Sequence, residues 1–250
     1  MIVYLAAYKS IEKYYNKPTD NIYLLSSFFE HKSGSFGDYV YQDRHILDSG
    51  AFSTFTNPDN AKKINWDNYV SKYIKFINHT RQKLFFEIDI DCVVGLRKVE
   101  YYRKKIEDGT GIQPVPVWHF ERKWDYFEYM CENYPYVAIG TVPNTTQGVV
   151  IRSNPFILKK FIDTTHAKGK KIHGLGYTDI KNLSYLNFDS VDSTTWCSAG
   201  RFGAIYKFNK KGYMDAYPHA KEKRISDYKE ANIYNFNEWV KFQRYAEINL

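Results

Sequence analysis

Eight short apolar runs alternating with longer amphipathic segments predict an α/β fold, a (β/α)8 TIM-type barrel with irregular insertions. Two further observations agree. The chain has 250 residues, the usual length of such a barrel. The runs also lack strict apolar–polar alternation, as strands covered on both faces do. They are Ile2–Ala6, Tyr23–Phe28, His45–Asp48, Leu84–Ile90, Pro114–Trp118, Val137–Gly140, Lys171–Leu175 and Ser190–Asp192.

The intervening segments carry helical signals. Trp66, Val70, Tyr73, Ile74 and Ile77 fall on one face of 65–80, with Asn65 placed to cap it. Trp124, Phe127, Met130 and Cys131 form the same kind of stripe over 121–134, and Phe156, Leu158, Phe161 and Ile162 over 155–168. Asn154-Pro155 starts that last helix and Gly169 ends it. A shorter helix over 179–186 is introduced by Thr178. Residues 29–44 read as a loop or lid and 193–225 as an insertion beyond the last barrel strand. Residues 226–250 read as a C-terminal helix holding Trp239, Val240, Phe242 and Tyr245. No linker divides the chain, so it reads as one domain.

Composition excludes several classes. With 44% hydrophobic and 25% charged residues the chain is globular, not disordered. No stretch approaches the ~20 apolar residues of a membrane helix. The apolar N-terminus has no basic leader and Tyr8-Lys9 closes it early, so the expectation is a soluble, cytoplasmic protein without a membrane partner. Cys92, Cys131 and Cys197 form no CxxC pair, which argues against a zinc cluster or a disulfide framework and for small buried side chains. The net charge of +7 points to a polyanionic partner only weakly. The 23 Tyr and 17 Phe fit an AT-rich coding bias as well as base stacking.

The informative pattern lies at the strand ends. Leu47 leads to Asp48-Ser49-Gly50, Ile88 to Asp89-Ile90-Asp91, Trp118 to His119, Ile139 to Gly140-Thr141, Ile172 to His173-Gly174-Leu175-Gly176, and Val191 to Asp192. In a parallel barrel these ends converge on one mouth, where the active site lies. Each aspartate alone reads equally as a cap of the next turn. The ordered set reads as a site. It lacks the HxH of a metal amidohydrolase, and GxSxG, Walker and HExxH motifs are absent. Paired carboxylates, one a nucleophile and one an acid/base, suit chemistry at an anomeric carbon.

Over residues 45–196 the chain resembles the tRNA-guanine transglycosylase superfamily. It is most similar to the shortened DNA-directed deazaguanine transglycosylases of bacteriophages and DNA-modification islands. Leu47–Ser53 resembles the DSGGFQ segment and Phe86–Cys92 the FDEC segment. Val137–Thr141 resembles the strand with the Gly-Gly pair, and His173–Gly176 the MGVG segment. Phe188–Ser193 resembles the segment with the catalytic aspartate.

The resemblance implies replacement of guanine in DNA by a 7-deazaguanine, such as the 7-cyano or 7-aminomethyl form, without a cofactor. Asp192 would be the nucleophile at C1′ and Asp48 the proton manager. Asp89 would bind the base, with Asp91 a rival on the same strand face. Ser49, Gly50, Gly140, His173 and Gly174 would contact the heterocycle, and His119 either touches the base or is structural. Phe52, Tyr177 and Trp196 are candidates for an aromatic wall against a flipped base, or plain packing. Arg201, Lys207, Lys210 and Lys211 would bind nucleic acid, with Lys221, Lys223 and Arg224 in the same tract. A solvated face is the bland reading of that tract. Arg97, Lys98, Arg103, Lys104 and Lys105 read as helix surface. No cysteine follows Cys197, so the C-terminal zinc subdomain of the tRNA enzymes is missing or replaced, which shifts the expectation from tRNA toward DNA. Two other readings stand beside it: a non-catalytic nucleic-acid-binding subunit, and an unrelated barrel glycosidase or lyase. Oligomeric state is open.

Overall fold

The computed structural model describes the chain except residues 32–36, 52–57, 141–145, 178, 199–202, 210 and 219–227. Side chains at 58–60, 146–148, 152 and 218 are likewise outside the described set. Seven strands form one curled, wholly parallel sheet: β1 Ile2–Ala6, β2 Leu24–Ser27, β3 His45–Asp48, β4 Val117–Trp118, β5 Tyr136–Gly140, β6 Lys171–Leu175 and β7 Ser190–Ser193. Their order is β3-β2-β1-β7-β6-β5-β4.

The expected strand Leu84–Ile90 does not form a ladder of its own. It lies between the two edge strands and makes single parallel bridges, Phe85 to Leu47 and Phe86 to Val115. Leu47 N donates to Leu84 O (3.1 Å), Phe86 N to Leu47 O (2.9 Å), Glu87 N to Val115 O (2.9 Å) and Val115 N to Phe85 O (2.9 Å). Pairing stays sparse on the β4 side because Pro114 and Pro116 have no N–H to give.

Parallel neighbours need crossovers, and helices supply most of them. In chain order these are α1 Phe28–His31, α2 Pro58–Lys63, α3 Trp66–Thr80, α4 Asp91–Val94, α5 Leu96–Thr110, α6 Lys123–Asn133, α7 Thr146–Ser153, α8 Pro155–Ala167, α9 Ile180–Leu186 and α10 Tyr228–Asn249. Asn65 caps α3 by accepting from Asn68 N (3.0 Å), and Asn154 caps α8 by accepting from Phe156 N (3.0 Å). Gly169, at φ +67°, follows the end of α8. Phe156 departs from the expected stripe: it is 73% exposed, because its place in the first turn turns it away from the sheet.

Alternation within strands sorts residues into layers. Val3 and Leu5 join the outer core with the helices around β4–β7, whereas Tyr4 and Ala6 join Leu25, Ile46, Phe86, Val115, Val117 and Ala138 on the sheet's other face. A further outer cluster joins Leu47, Phe85 and Ile88 to Tyr73 and Ile77 of α3 and Tyr102 and Ile106 of α5.

Two expected loops contain structure. In 29–44, His31, Tyr39 and Val40 are buried, so the described part of this segment is packed rather than lid-like. In 193–225, β8 Ala204–Phe208 and β9 Met214–Pro218 make an antiparallel hairpin whose Tyr206 and Phe208 rest on Trp239, Phe242 and Tyr245 of α10. No described helix is long and apolar enough to cross a membrane.

Candidate active site

Because the strands are parallel, their C-terminal ends share one rim. Asp48 stands two residues after Ile46, His119 two after Val117, Gly140 two after Ala138 and Asp192 two after Ser190. Alternation therefore aims all four to the face of the inner cluster.

Asp48 Oδ2 accepts a hydrogen bond from Gly50 N (2.9 Å). Its carboxyl is pushed up to about 7, first by burial and then by the charge of Asp89, with a smaller push from Asp192; Gly50 and the Ser27 hydroxyl oppose the rise. Three carboxylates thus feel one another. Gly50 has φ +75°, and a Cβ there would stand 2.7 Å from Phe29 N, so only glycine makes this turn.

Asp89 pairs with His119, whose Nε2 lies 2.7 Å from Asp89 Oδ2 while Nδ1 lies 3.2 Å from the Gly140 carbonyl. A carbonyl only accepts, so Nδ1 donates to Gly140, and the carboxylate of Asp89 is placed to accept from Nε2 of the protonated ring. Burial opposes that charge, but the bond to Asp89 and its charge outweigh burial, and the imidazole is raised. Gly140 makes room for the ring: a Cβ there would meet His119 Cε1 at 2.4 Å. Ser49 is buried and its hydroxyl reaches Asp89 Oδ1 at 3.5 Å.

Asp91 has a different environment. The strand has ended before it, and Asp91 opens α4, so it does not share a strand face with Asp89 as expected. Arg122 grips it, with NH2 2.6 Å from Oδ2 and Nε 3.2 Å from both oxygens. The same Arg122 donates from NH1 to Glu87 Oε1 (2.6 Å), and Arg103 Nε donates to Glu87 Oε2 (2.6 Å). Arg103 is therefore buried rather than helix surface. Burial alone would raise Glu87, yet the two guanidiniums and Val117 N hold it down at about 2.

Asp192 is buried at 7% exposure, and its Oδ1 accepts from Gly176 N (2.6 Å) and from His173 Nε2 (3.2 Å). His173 is fully buried, with Nδ1 on Ser190 Oγ and Nε2 on Asp192 Oδ1, so both ring nitrogens face protein groups. Gly174 lets Phe188 and Tyr177 approach; a Cβ there would meet Phe188 at 3.1 Å. Tyr177 and Trp196 are core residues, Trp196 donating to Ala6 O (2.9 Å), so neither forms an exposed wall. Phe52, Thr178, Arg201, Lys210, Lys221, Lys223 and Arg224 lie outside the described residues. Lys207 and Lys211 are exposed on the β8–β9 hairpin, where Lys207 pairs in register with Asp215. Among the described residues no ion pair or hydrogen bond joins this hairpin to Asp48, Asp89 or Asp192. Of the cysteines, Cys131 is buried against Thr165, Cys197 is intermediate, and Cys92 is exposed, contrary to the expectation of a buried side chain.

Sequence reasoning missed Glu87, Arg122, Ser27, Ser190 and Tyr136. Glu87 had a signal: a carboxylate between Phe86 and Ile88 in an apolar run must find a cationic partner. Among the described residues no group of three His, Cys, Asp or Glu side chains is arranged to hold a metal ion. Comparison with protein-family models, curated proteins and solved structures finds no match to this chain.

Proposed function

We propose that the chain is a (β/α)8 barrel, completed by the bridged segment 84–88, that exchanges guanine in DNA for a 7-deazaguanine through a covalent aspartyl-glycosyl intermediate. The observation that carries this reading is the division of labour between two carboxylates on one rim. Asp48 is pushed up to about 7 and can hold a proton near neutrality, while Asp192 has its Oδ1 held by two donors. A carboxyl that holds a proton near neutrality suits the acid/base role, and one with an oxygen fixed by two donors suits the nucleophile. Asp192 Oδ2 bonds to C1′ as the bond from C1′ to N9 of guanine breaks, and Asp48 gives its proton to the departing base. N9 of the 7-deazaguanine then attacks C1′, its proton passes to Asp48, and the Asp192–C1′ bond breaks. Two inversions give net retention. Asp89, oriented by the His119 imidazolium, accepts from the N1–H and 2-amino group of the base; Asp91, held by Arg122, serves structure.

The test is incorporation of labelled guanine or 7-deazaguanine into duplex DNA, with tRNA in parallel. Wild type exchanges label, Asp192→Ala loses at least about 10⁴-fold, and denaturing mass spectrometry traps a glycosyl adduct on Asp192. Equal exchange by wild type and Asp192→Ala removes Asp192 as nucleophile. Label in tRNA alone assigns the other nucleic acid, and sugar turnover without nucleic acid assigns a glycosidase.

A further inference from the structure

Behind Asp192 a buried chain of polar side chains runs into the inner cluster. Tyr136 Oη lies 2.5 Å from Ser190 Oγ, Ser190 Oγ is bonded to His173 Nδ1, and His173 Nε2 lies 3.2 Å from Asp192 Oδ1. All the groups behind Asp192 are shielded: Ser190 is 1% exposed, His173 is fully buried and Tyr136 is half-buried. The imidazole is packed between Phe86 (centroids 5.1 Å apart) and Tyr4 (6.1 Å). Ser190 is thus no nucleophile; the open end of the chain is the carboxylate. Three strands make the arrangement, with Tyr136 at the start of β5. His173 and Ser190 are register partners on β6 and β7, and Asp192 follows Ser190 by the two residues that return to the same face.

The direction of the protons follows from chemistry. An ionised carboxylate only accepts, so His173 Nε2 carries a hydrogen. A neutral ring then has a bare Nδ1, which accepts the Ser190 hydroxyl proton, and Ser190 Oγ accepts from the Tyr136 hydroxyl. Burial pushes the Tyr136 phenol far above its ordinary range, so it is a donor throughout. Both protein donors converge on Asp192 Oδ1. Among the described residues no hydrogen bond reaches Oδ2.

We propose that His173, locked as the neutral Nε2–H tautomer by Ser190 and Tyr136, is a positioning residue that fixes Asp192 so that Oδ2 is its reacting oxygen. The proposal deepens the transglycosylase reading and rests on it for the word "reacting"; the locked tautomer is independent of the reaction.

The two are separated by measurement. The full-length protein is labelled with [15N]histidine and its long-range 1H–15N correlations are recorded at pH 7. His173 is expected with protonated Nε2 and bare Nδ1, and Ser190→Ala is expected to broaden or split that pattern as the ring loses its lock. In base exchange, Ser190→Ala lowers kcat about tenfold with KM unchanged, and His173→Leu lowers it about a hundredfold, the range expected for losing a hydrogen bond to a charged group. His173→Gln, which keeps an N–H donor, recovers part of the loss. A ring protonated at Nδ1, or a folded His173→Leu protein with kcat within about twofold of wild type, overturns the proposal. Thermal melting checks folding, and the conservative Ser190→Ala keeps the test valid if His173→Leu does not fold. If wild type exchanges no base, the function reading fails while the tautomer measurement still decides the lock.

Discussion

Asp48 ends β3 only partly exposed, with Asp89 and Asp192 as neighbours, and its carboxyl rises from 3.8 to about 7. Between those values the folded state holds a proton that the unfolded chain has released, so stability from this group is full in acid and falls as pH rises toward 7. Asp48→Asn should therefore stabilise the fold by on the order of 1–3 kcal/mol at pH 8, with little effect at pH 4, and on the function proposed it should abolish exchange. Urea denaturation at the two pH values checks the sign. Gly140 is the second residue whose identity matters locally. A methyl group there would stand 2.4 Å from His119 Cε1 and 2.7 Å from Nδ1, so Gly140→Ala must displace the ring and loosen Asp89. On the function proposed, it should raise KM for the incoming base about tenfold or more with a smaller effect on kcat, read from steady-state exchange. Asp48, Asp89, His119 and Asp192 were legible in the sequence because polar residues end apolar runs where propensity would not choose them. Ser190 was not, because a serine in a strand carries no signal until its cross-strand partner is known.

Among the elements, the bridged segment 84–88 with α4, α5 and the turn 120–122 forms the least expected unit. Glu87 is fully buried and accepts from Arg103, Arg122 and Val117 N, tying α5 and the residues after β4 to this segment; Arg122 then reaches Asp91 at the start of α4. Removing one charge strands the others, so Glu87→Gln should cost about 3–5 kcal/mol at pH 7. Glu87 is depressed from 4.5 to about 2, so its stabilisation is present above 4.5 and is lost as pH falls through 2. The penalty of the variant should therefore shrink below pH 3, as denaturant midpoints would show. The sequence placed α3, α6, α8 and α9 well, because caps and 3.6-residue stripes act locally. It misplaced Arg103 on the surface and Asp91 on a strand face. Neither error was avoidable from spacing, since the burial of Arg103 depends on a carboxylate sixteen residues away.

For the molecule as a whole, α10 brings the end of the described chain back onto its beginning. Gln243 donates to Val3 O (2.6 Å) and Tyr23 O (2.9 Å) and accepts from Tyr23 N (3.1 Å), while Phe236, Trp239 and Phe242 are buried in the largest cluster. Gln243→Leu keeps the volume but leaves those backbone groups without partners. It should destabilise the protein by about 2–4 kcal/mol in one cooperative unfolding transition, observed by circular dichroism and tryptophan fluorescence together. A separate early loss of the α10 signal would mean that the last helix folds as an independent unit.

By itself the sequence determined the alternation of strands and helices, the parallel sheet that alternation requires, and the row of polar residues on one rim. These follow from short-range rules of periodicity, capping and chain reversal that operate within a few residues. Only the tertiary structure decided what each polar residue touches. It separated Asp89, paired with His119, from Asp91, held by Arg122, and it placed His173, expected against the heterocycle, in the buried interior beside Asp192. The physical reason is that a carboxylate's proton affinity and an imidazole's tautomer are set by burial and by partners within about 3 Å, and those partners come from strands and helices far apart in the chain.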